Sequence, residues 1–563
     1  MEHRGGLHSP EVSGAESLLR SAGLRGRGFK LGFPMRLGID FGTTHTVAAL
    51  VDRGNYPVAP LGEHDVCPSM LAAHPDGRLL YGRDAAAVRA AREPGWRVLR
   101  SMKRLLHGAG PLTEVELAGR AYLLCDLFAG FLSHVRELIC KHSGRSPKEA
   151  LETAISVPAN SSSGQRLLTV DAFGAAGFKV VRLLNEPSAA ACEYAHRQKR
   201  TLSSQREHVL VYDLGGGTFD ASVLRIDEHG GDVVGSAGVS RLGGDDFDNV
   251  IYQLALERAG LDANAATPLF REILLDECRL QKEAVNPSTR KLVIDLGVAL
   301  AAVPEVGAGR EIPETVALPA DEVYAACGPL IAASLASMDD ALRGAHDGAG
   351  VEERALAGVY VVGGQSSFPP VYRTLRERFG LHRVHRSPHP FGSIAIGLAI
   401  HMAEGGVRRI SEKLTRNIGV FREGEAGREI LCEVVLAKDT PLPPPGAPPL
   451  EVKRRYKPRH NVGHFRFFEC ARMQAGRPDG NLSLWDDMRF PFDKRLRDMP
   501  NLSGVAVERG GEQPEVEEVI RAFPGGEVEV ELRVIEDGYS RKAKISPRGM
   551  APGRAAAKGR SQG

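Results

Sequence analysis

Two stretches of this sequence gather carboxylates, threonines and glycines at spacings suited to holding a phosphate. Leu37 to Val51 reads L-G-I-D-F-G-T-T-H-T-V-A-A-L-V, and Val209 to Asp220 reads V-L-V-Y-D-L-G-G-G-T-F-D. In each, an apolar run long enough for a buried strand ends at an aspartate, Asp40 or Asp213. Glycines follow, Gly42 in the first and Gly215, Gly216 and Gly217 in the second, and let the backbone turn tightly before Thr43 and Thr44 or before Thr218 and Asp220. Such a turn offers backbone N–H groups to an anion. The aspartates would repel a phosphate unless a divalent cation lay between them and reversed the local charge logic. The chemistry implied is a nucleotide phosphate held with magnesium. The competing reading is a glycine-rich hairpin turn with solvated aspartates.

The elements that must position these groups repeat. Two hairpins of one design, about 170 residues apart, suggest a duplicated domain whose halves face each other across a cleft. A third turn, Val359-Tyr360-Val361-Val362-Gly363-Gly364-Gln365, follows another strand of the buried type. No hairpin runs into Gly-Lys-Ser/Thr, so none is a Walker A loop opening a helix. At 563 residues the chain is too long for one core and predicts two to four domains. Its 72 basic and 70 acidic residues balance, which gives no chain-wide field toward nucleic acid or membrane. Eight cysteines without a C-x-x-C pair fit small buried hydrophobes in a reducing compartment. No apolar run reaches a membrane span, and the expected location is cytoplasmic. Residues 1–34 are rich in Gly, Arg and Ser and read as a disordered leader, with Met35 a candidate true start.

The hairpins, together with Asn185-Glu186-Pro187-Ser188-Ala189-Ala190 and Leu242-Gly243-Gly244-Asp245-Asp246-Phe247-Asp248, resemble the Hsp70 (DnaK-like) chaperones of the actin-like ATPase superfamily. The resemblance runs through residues 35 to 400 and more thinly to 545. It implies an α/β, actin-like two-lobed ATPase domain of duplicated ribonuclease-H-like halves over 35–405, a linker over 406–417, an all-β sandwich over 418–545 and a disordered basic tail over 546–563. By the same resemblance, ATP or ADP binds with Mg2+, and potassium is a further candidate beside the phosphates. Asp40, Glu186 and Asp213 would order the metal's waters. Gly42, Thr43, Thr44, Gly215, Gly216, Gly217 and Thr218, with the turn at Gly243 and Gly244, would hold phosphates. Lys103, in Ser101-Met102-Lys103-Arg104-Leu105-Leu106, would orient the attacking water with Thr218, assisted by Asp220; read bare, Lys103 is a surface lysine. Glu186 would otherwise be a helix N-terminal carboxylate.

The nucleoside would lie between Lys282 and Asn286 on one side and Gly363, Gly364 and Gln365 on the other; the plain alternative for Lys282 is a solvated helix face. Here the chain departs from the family, with Ser367 in place of a frequent arginine and Phe391-Gly392 in place of an acidic pair. Pro158 and Arg166 match a relay between nucleotide and peptide-binding domains, although Asn160-Ser161-Ser162-Ser163 replaces the family's aromatic pair and acid. Their alternative is a strand terminator and a surface arginine. The family's acidic-leucine linker is unrecognisable in the charged, partly helical-looking stretch Ala403 to Asn417. Ile430 to Ala437, Val462 to Cys470 and Val528 to Tyr539 alternate as strands of a sandwich. Lys453, Arg454, Arg455, Lys457 and Arg459 read as guards of an exposed strand edge. The Gly, Ala and Arg content after Ile545 is not that of the family's helical lid, so a lidless sandwich is expected, from which bound peptide would leave quickly. The function implied is an ATP-driven chaperone for unfolded or extended polypeptides, with J-domain and nucleotide-exchange co-chaperones as candidate partners and no specific nucleic acid or membrane partner. The alternative is a nucleotide-switched scaffold with a dedicated protein partner.

Overall fold

A computed structural model describes residues 35–544, apart from 107–108, 110–112, 147, 160, 199–200, 204–205, 228–229, 263–266, 310, 347, 404–408, 425–427, 445, 480–481 and 511–512. The leader and tail expected at 1–34 and 546–563 lie outside the described residues, as does part of the linker. No described helix is long and apolar enough to cross a membrane.

The repeat seen in the sequence is a repeat of topology. In the first lobe, the strand Met35–Phe41 pairs antiparallel with His45–Leu50 and parallel with Leu151–Val157, which pairs parallel with Phe178–Asn185. In the second lobe, His208–Leu214 pairs antiparallel with Phe219–Ile226 and parallel with Leu356–Val362. Each central strand is an almost uninterrupted apolar run because helices and neighbouring strands cover both of its faces. Each hairpin reverses at its glycine-containing turn, which puts Asp40 and Asp213 at corresponding strand ends.

Two helices lie between the sheets. Glu186–Arg197 opens with Pro187, whose fixed φ suits a first turn, and Ser393–Met402 is apolar on nearly every face because it is buried all round. They approach so closely that a Cβ on Gly397 would stand 1.7 Å from the Ala189 carbonyl oxygen. This contact requires glycine for lack of space, not for an unusual φ. Local signals start two further helices: Ser162 and Gln165 form a capping box at Ser163–Ala175, and Thr267 caps Pro268–Glu283. Such caps contribute about 1 kcal/mol each.

The C-terminal part is a β-sandwich. One sheet runs Glu429–Leu436, Asn417–Gly424, Val462–Cys470, Ser483–Pro491, and the other Leu450–Tyr456, Val516–Ala522, Val528–Val534, Ser540–Lys544. Alternation along the strands sends Val420, Phe467, Trp485, Phe490, Ile520 and Leu532 into the shared core. The basic run at 453–455 sits on an edge strand, as expected, and Arg454 also reaches across to Glu433 at 2.6 Å.

The linker corrects the sequence reading. The helix Ser393–Met402 stops at its C-cap Ala403, and Arg409–Ser411 forms a parallel strand against Gly230–Asp232 at the edge of the second lobe's sheet. A stretch with no recognisable leucine motif therefore still adds a strand, because that interaction is made by main-chain groups.

Candidate active site in the interlobar cleft

The two hairpins face each other across a cavity of about 360 Å3. Gly42, Thr43 and Thr44 line it from the first lobe, and Gly215, Gly216 and Thr218 from the second. Asp40, Lys103, Glu186 and Asp213 meet at this end, each nearly buried. Lys103 projects from the short 3-10 helix Met102–Leu106 and pairs with Glu186, the first residue of its helix. The surface-lysine and solvated-turn readings are thereby excluded.

The charges do not balance. Burial raises the Asp40 carboxyl to about 7, with Glu186 adding to the rise while Lys103 and the Ser156 hydroxyl, 3.3 Å away, oppose it. Burial and the neighbouring Glu186, Asp220 and Asp40 charges hold Asp213 well above the usual carboxylate range. Burial alone would depress the Lys103 ammonium, but Glu186 and Asp40 outweigh it and hold it above its ordinary value. With one lysine among these buried carboxylates, Asp40 and Asp213 hold protons more readily than usual, and a divalent cation would favour their ionised forms. Among the described residues no three His, Cys, Asp or Glu side chains converge as direct ligands. Asp40, Glu186 and Asp213 accordingly fit an ion held through intervening water.

Several expected residues stand one layer back. Asp220 is buried and in register with Asp213 but does not line the cavity. Gly217 and Gly243 also lie behind it. A Cβ on Gly243 would meet the Gly217 nitrogen at 2.5 Å, so these glycines let the hairpin pack on the turn that opens the helix Gly244–Arg258. Gly244, which lines the cavity, hydrogen-bonds the Gly215 carbonyl through its N–H at 3.0 Å.

At the nucleoside end, Lys282, Gly363, Gly364 and Gln365 line the cavity, with Ser367, Phe368 and Phe391 beside them. Lys282 is not a solvated lysine: it is buried, donates to the Gly244 carbonyl at 2.7 Å and pairs with Asp248 at 2.7 Å. Only its stem is free to cover a base. Asn286 is corrected. It is exposed, its Oδ1 accepts from the Ser288 N–H at 3.0 Å, and Val285 takes the lining position. The turn that ends the helix Pro268–Glu283 carries Asn286 away from the cleft.

Residues not anticipated from sequence brace the cleft, Arg104 and Arg100 between the lobes and Arg279 within the second. Arg104 donates to the Gly217 carbonyl at 3.1 Å and to Asp246 at 2.9 Å, and Arg100 reaches Asp276 at 2.6 Å. Arg279, one turn before Lys282 on the same helix face, pairs with Asp245 and with Asp248. That i, i+3 spacing was the available signal; Arg104 was marked only by its place beside Lys103.

The relay residues are also placed. Pro158 ends its strand, and Arg166 is buried, donating to Asn185 and to the Gly525 carbonyl of the sandwich. The surface-arginine reading does not hold.

A duplicated two-lobed α/β fold with facing glycine-lined hairpins, followed by a β-sandwich, defines the actin-like class joined to an all-β domain. A family model described as Hsp70 protein matches residues 106–407. The chain is 34% identical over 437 residues to the chaperone protein HscA homolog of Azotobacter vinelandii (strain DJ / ATCC BAA-1303), covering 73% of this chain and 64% of that protein. It is 31% identical over 436 residues to the HscA homolog of Acidithiobacillus ferrooxidans (strain ATCC 53993 / BNL-5-31), with the same coverage. The chain belongs to the Hsp70 family. It spans about 64% of the length of these relatives.

Proposed function

We propose that this chain is an Hsp70-type chaperone that hydrolyses ATP with magnesium and uses the nucleotide state to bind and release extended polypeptide. The observation that carries the reading is the convergence of Asp40, Glu186 and Asp213 with Lys103 between two glycine-lined hairpins. Thr43, Thr44, Gly215, Gly216 and Thr218 would hold the phosphates. Magnesium, when bound, would offset charge on the transferring phosphoryl group. Lys103 and Thr218 would orient the attacking water, and Asp220 would bias the charge of Asp213 from behind. Phosphoryl transfer depends on this positioning and electrostatic support more than on covalent chemistry. Potassium beside the phosphates is the part of the reading that rests on resemblance alone.

Polypeptide binding is favoured over a dedicated scaffold by the edge strand Glu429–Leu436, which exposes Ile430 (62%) and Leu431 (45%). An edge strand offers main-chain hydrogen bonds to an extended peptide whatever its sequence, and adjacent apolar side chains reward an apolar client. ATP turnover with and without a hydrophobic peptide tests the proposal, with Lys103→Ala as the control. We expect peptide to change the rate and Lys103→Ala to lower it by about 100-fold or more. No turnover by folded wild type would reject the enzyme, and turnover indifferent to peptide would leave the scaffold.

A further inference from the structure

Two rings at the nucleoside end of the cleft take no part in the scheme above. Phe391 lines the cavity and is 50% exposed, an apolar surface left open at the mouth of a binding cleft. It is nonetheless held on two sides. The His45 ring, from the strand that follows the first hairpin's turn, meets it edge to face at 5.4 Å and 66°. Gly364 lies against it so closely that a Cβ there would stand 2.8 Å from Cε1. Burial and the charges of Arg279 and Arg83 lower the His45 imidazole to about 4, so it packs as a neutral ring at physiological pH.

A second observation points to a ligand here. Gln365 is more than nine-tenths buried, lines the same cavity, and its Nε2 has no hydrogen-bond partner among the described residues. A buried amide N–H2 without an acceptor costs stability unless a ligand or water supplies one. The Lys282 stem and Val285 line the same cavity.

We propose that Phe391, braced by His45, is the plane on which the nucleoside of the bound nucleotide stacks, with Gln365 Nε2 donating one hydrogen bond to that nucleoside. The assignment rests on the nucleotide reading of the cleft and goes beyond it, because it locates recognition of the base in an aromatic side chain standing where the family resemblance leads one to expect an acidic pair. Ring stacking tolerates any base, since every base presents a π-face. The site is accordingly selective for nucleoside over bare polyphosphate more than for adenine over guanine.

Calorimetry with magnesium, comparing ATP with inorganic tripolyphosphate, separates the two levels. For Phe391→Ala we expect ATP affinity to fall about tenfold or more, the scale of one lost base–aromatic stack, with tripolyphosphate affinity within about twofold of wild type. Turnover by this variant should show a raised KM at unchanged kcat. Phe391→Trp should keep ATP affinity, and its added fluorescence should respond to ATP and not to tripolyphosphate. His45→Ala should weaken ATP binding less than Phe391→Ala does, and His45→Phe should restore it. Unchanged ATP affinity in Phe391→Ala, or equal losses for both ligands, overturns the stacking assignment while the nucleotide reading stands. Wild type that takes up neither ligand rejects both.

Discussion

Asn185 donates its backbone N–H to Glu412 at 2.9 Å and its side-chain amide to the same carboxylate, so the linker grips the residue adjoining Glu186. Glu186 pairs with Lys103 in the cleft, and Arg166, which also donates to Asn185, reaches the sandwich at Gly525. The path from site to sandwich is thus only a few residues long. Glu412→Ala would leave both Asn185 donors without their acceptor and remove a negative charge near Arg166, a cost of about 1–3 kcal/mol confined to the docked arrangement. We expect basal ATP turnover within about threefold of wild type and loss of most of the ATP-stimulated release of a fluorescent peptide, measured by stopped flow. Full stimulation in the variant would show that coupling runs elsewhere.

Glu469 makes a pH prediction. It is buried between the sandwich and the helix Ser163–Ala175, and accepts from the Ser163 N–H at 3.2 Å and the Trp485 indole at 3.3 Å while pairing with Arg416 at 3.1 Å. Burial raises its carboxyl above the ordinary 4.5 despite these partners. A folded value above the unfolded one means that the folded state binds more protons between the two. The contribution of Glu469 is fully present below 4.5 and is lost as pH rises through the raised value. Thermal midpoints followed from pH ~5 to ~8 should fall more steeply for wild type than for Glu469→Gln. Parallel profiles would reject the assignment.

Arg104 closes the cleft from the first lobe onto Gly217 and Asp246 of the second. Its removal should loosen the lobes and free the Gly217 carbonyl of the second hairpin, while the cavity-lining Thr43, Thr44, Gly215, Gly216 and Thr218 stay in place. For Arg104→Ala we expect a fluorescent ADP analogue to dissociate about tenfold faster, the equivalent of about 1.4 kcal/mol. An unchanged off-rate would assign closure to Arg100–Asp276 and its neighbours.

Gly397 supports a stability prediction with an internal control. An added Cβ would collide with the Ala189 backbone at 1.7 Å, and backbone cannot move aside as a side chain can. Gly397→Ala should cost about 3 kcal/mol in urea unfolding. Gly174→Ala, also helical but with nothing within 4 Å of the new methyl, should be neutral or stabilising by up to about 1 kcal/mol.

The parts of this molecule that declare themselves in sequence are those where local chemistry and tertiary position agree. Strands ending in Asp40 and Asp213 are apolar because they are buried, and their glycines follow because the turns need them. Arg104 was opaque for the opposite reason. A charged residue on a helix looks the same whether it faces water or an acid from another lobe, and only the fold brings Asp245 and Asp246 alongside. Asn286 was misplaced because alignment assigns a position in the chain and not the direction in which the turn carries it. The linker strand was missed because three residues pair through backbone groups that any sequence possesses.

That strand makes the second lobe's sheet a structure of changeable width. With Arg409–Ser411 in place, the end of Gly230–Val239 is an interior strand; withdrawn, the same segment becomes a rim with its main-chain amides open to solvent exchange. Deuterium uptake at Gly230–Asp232 would then report attachment of the linker directly, without a label and without a client.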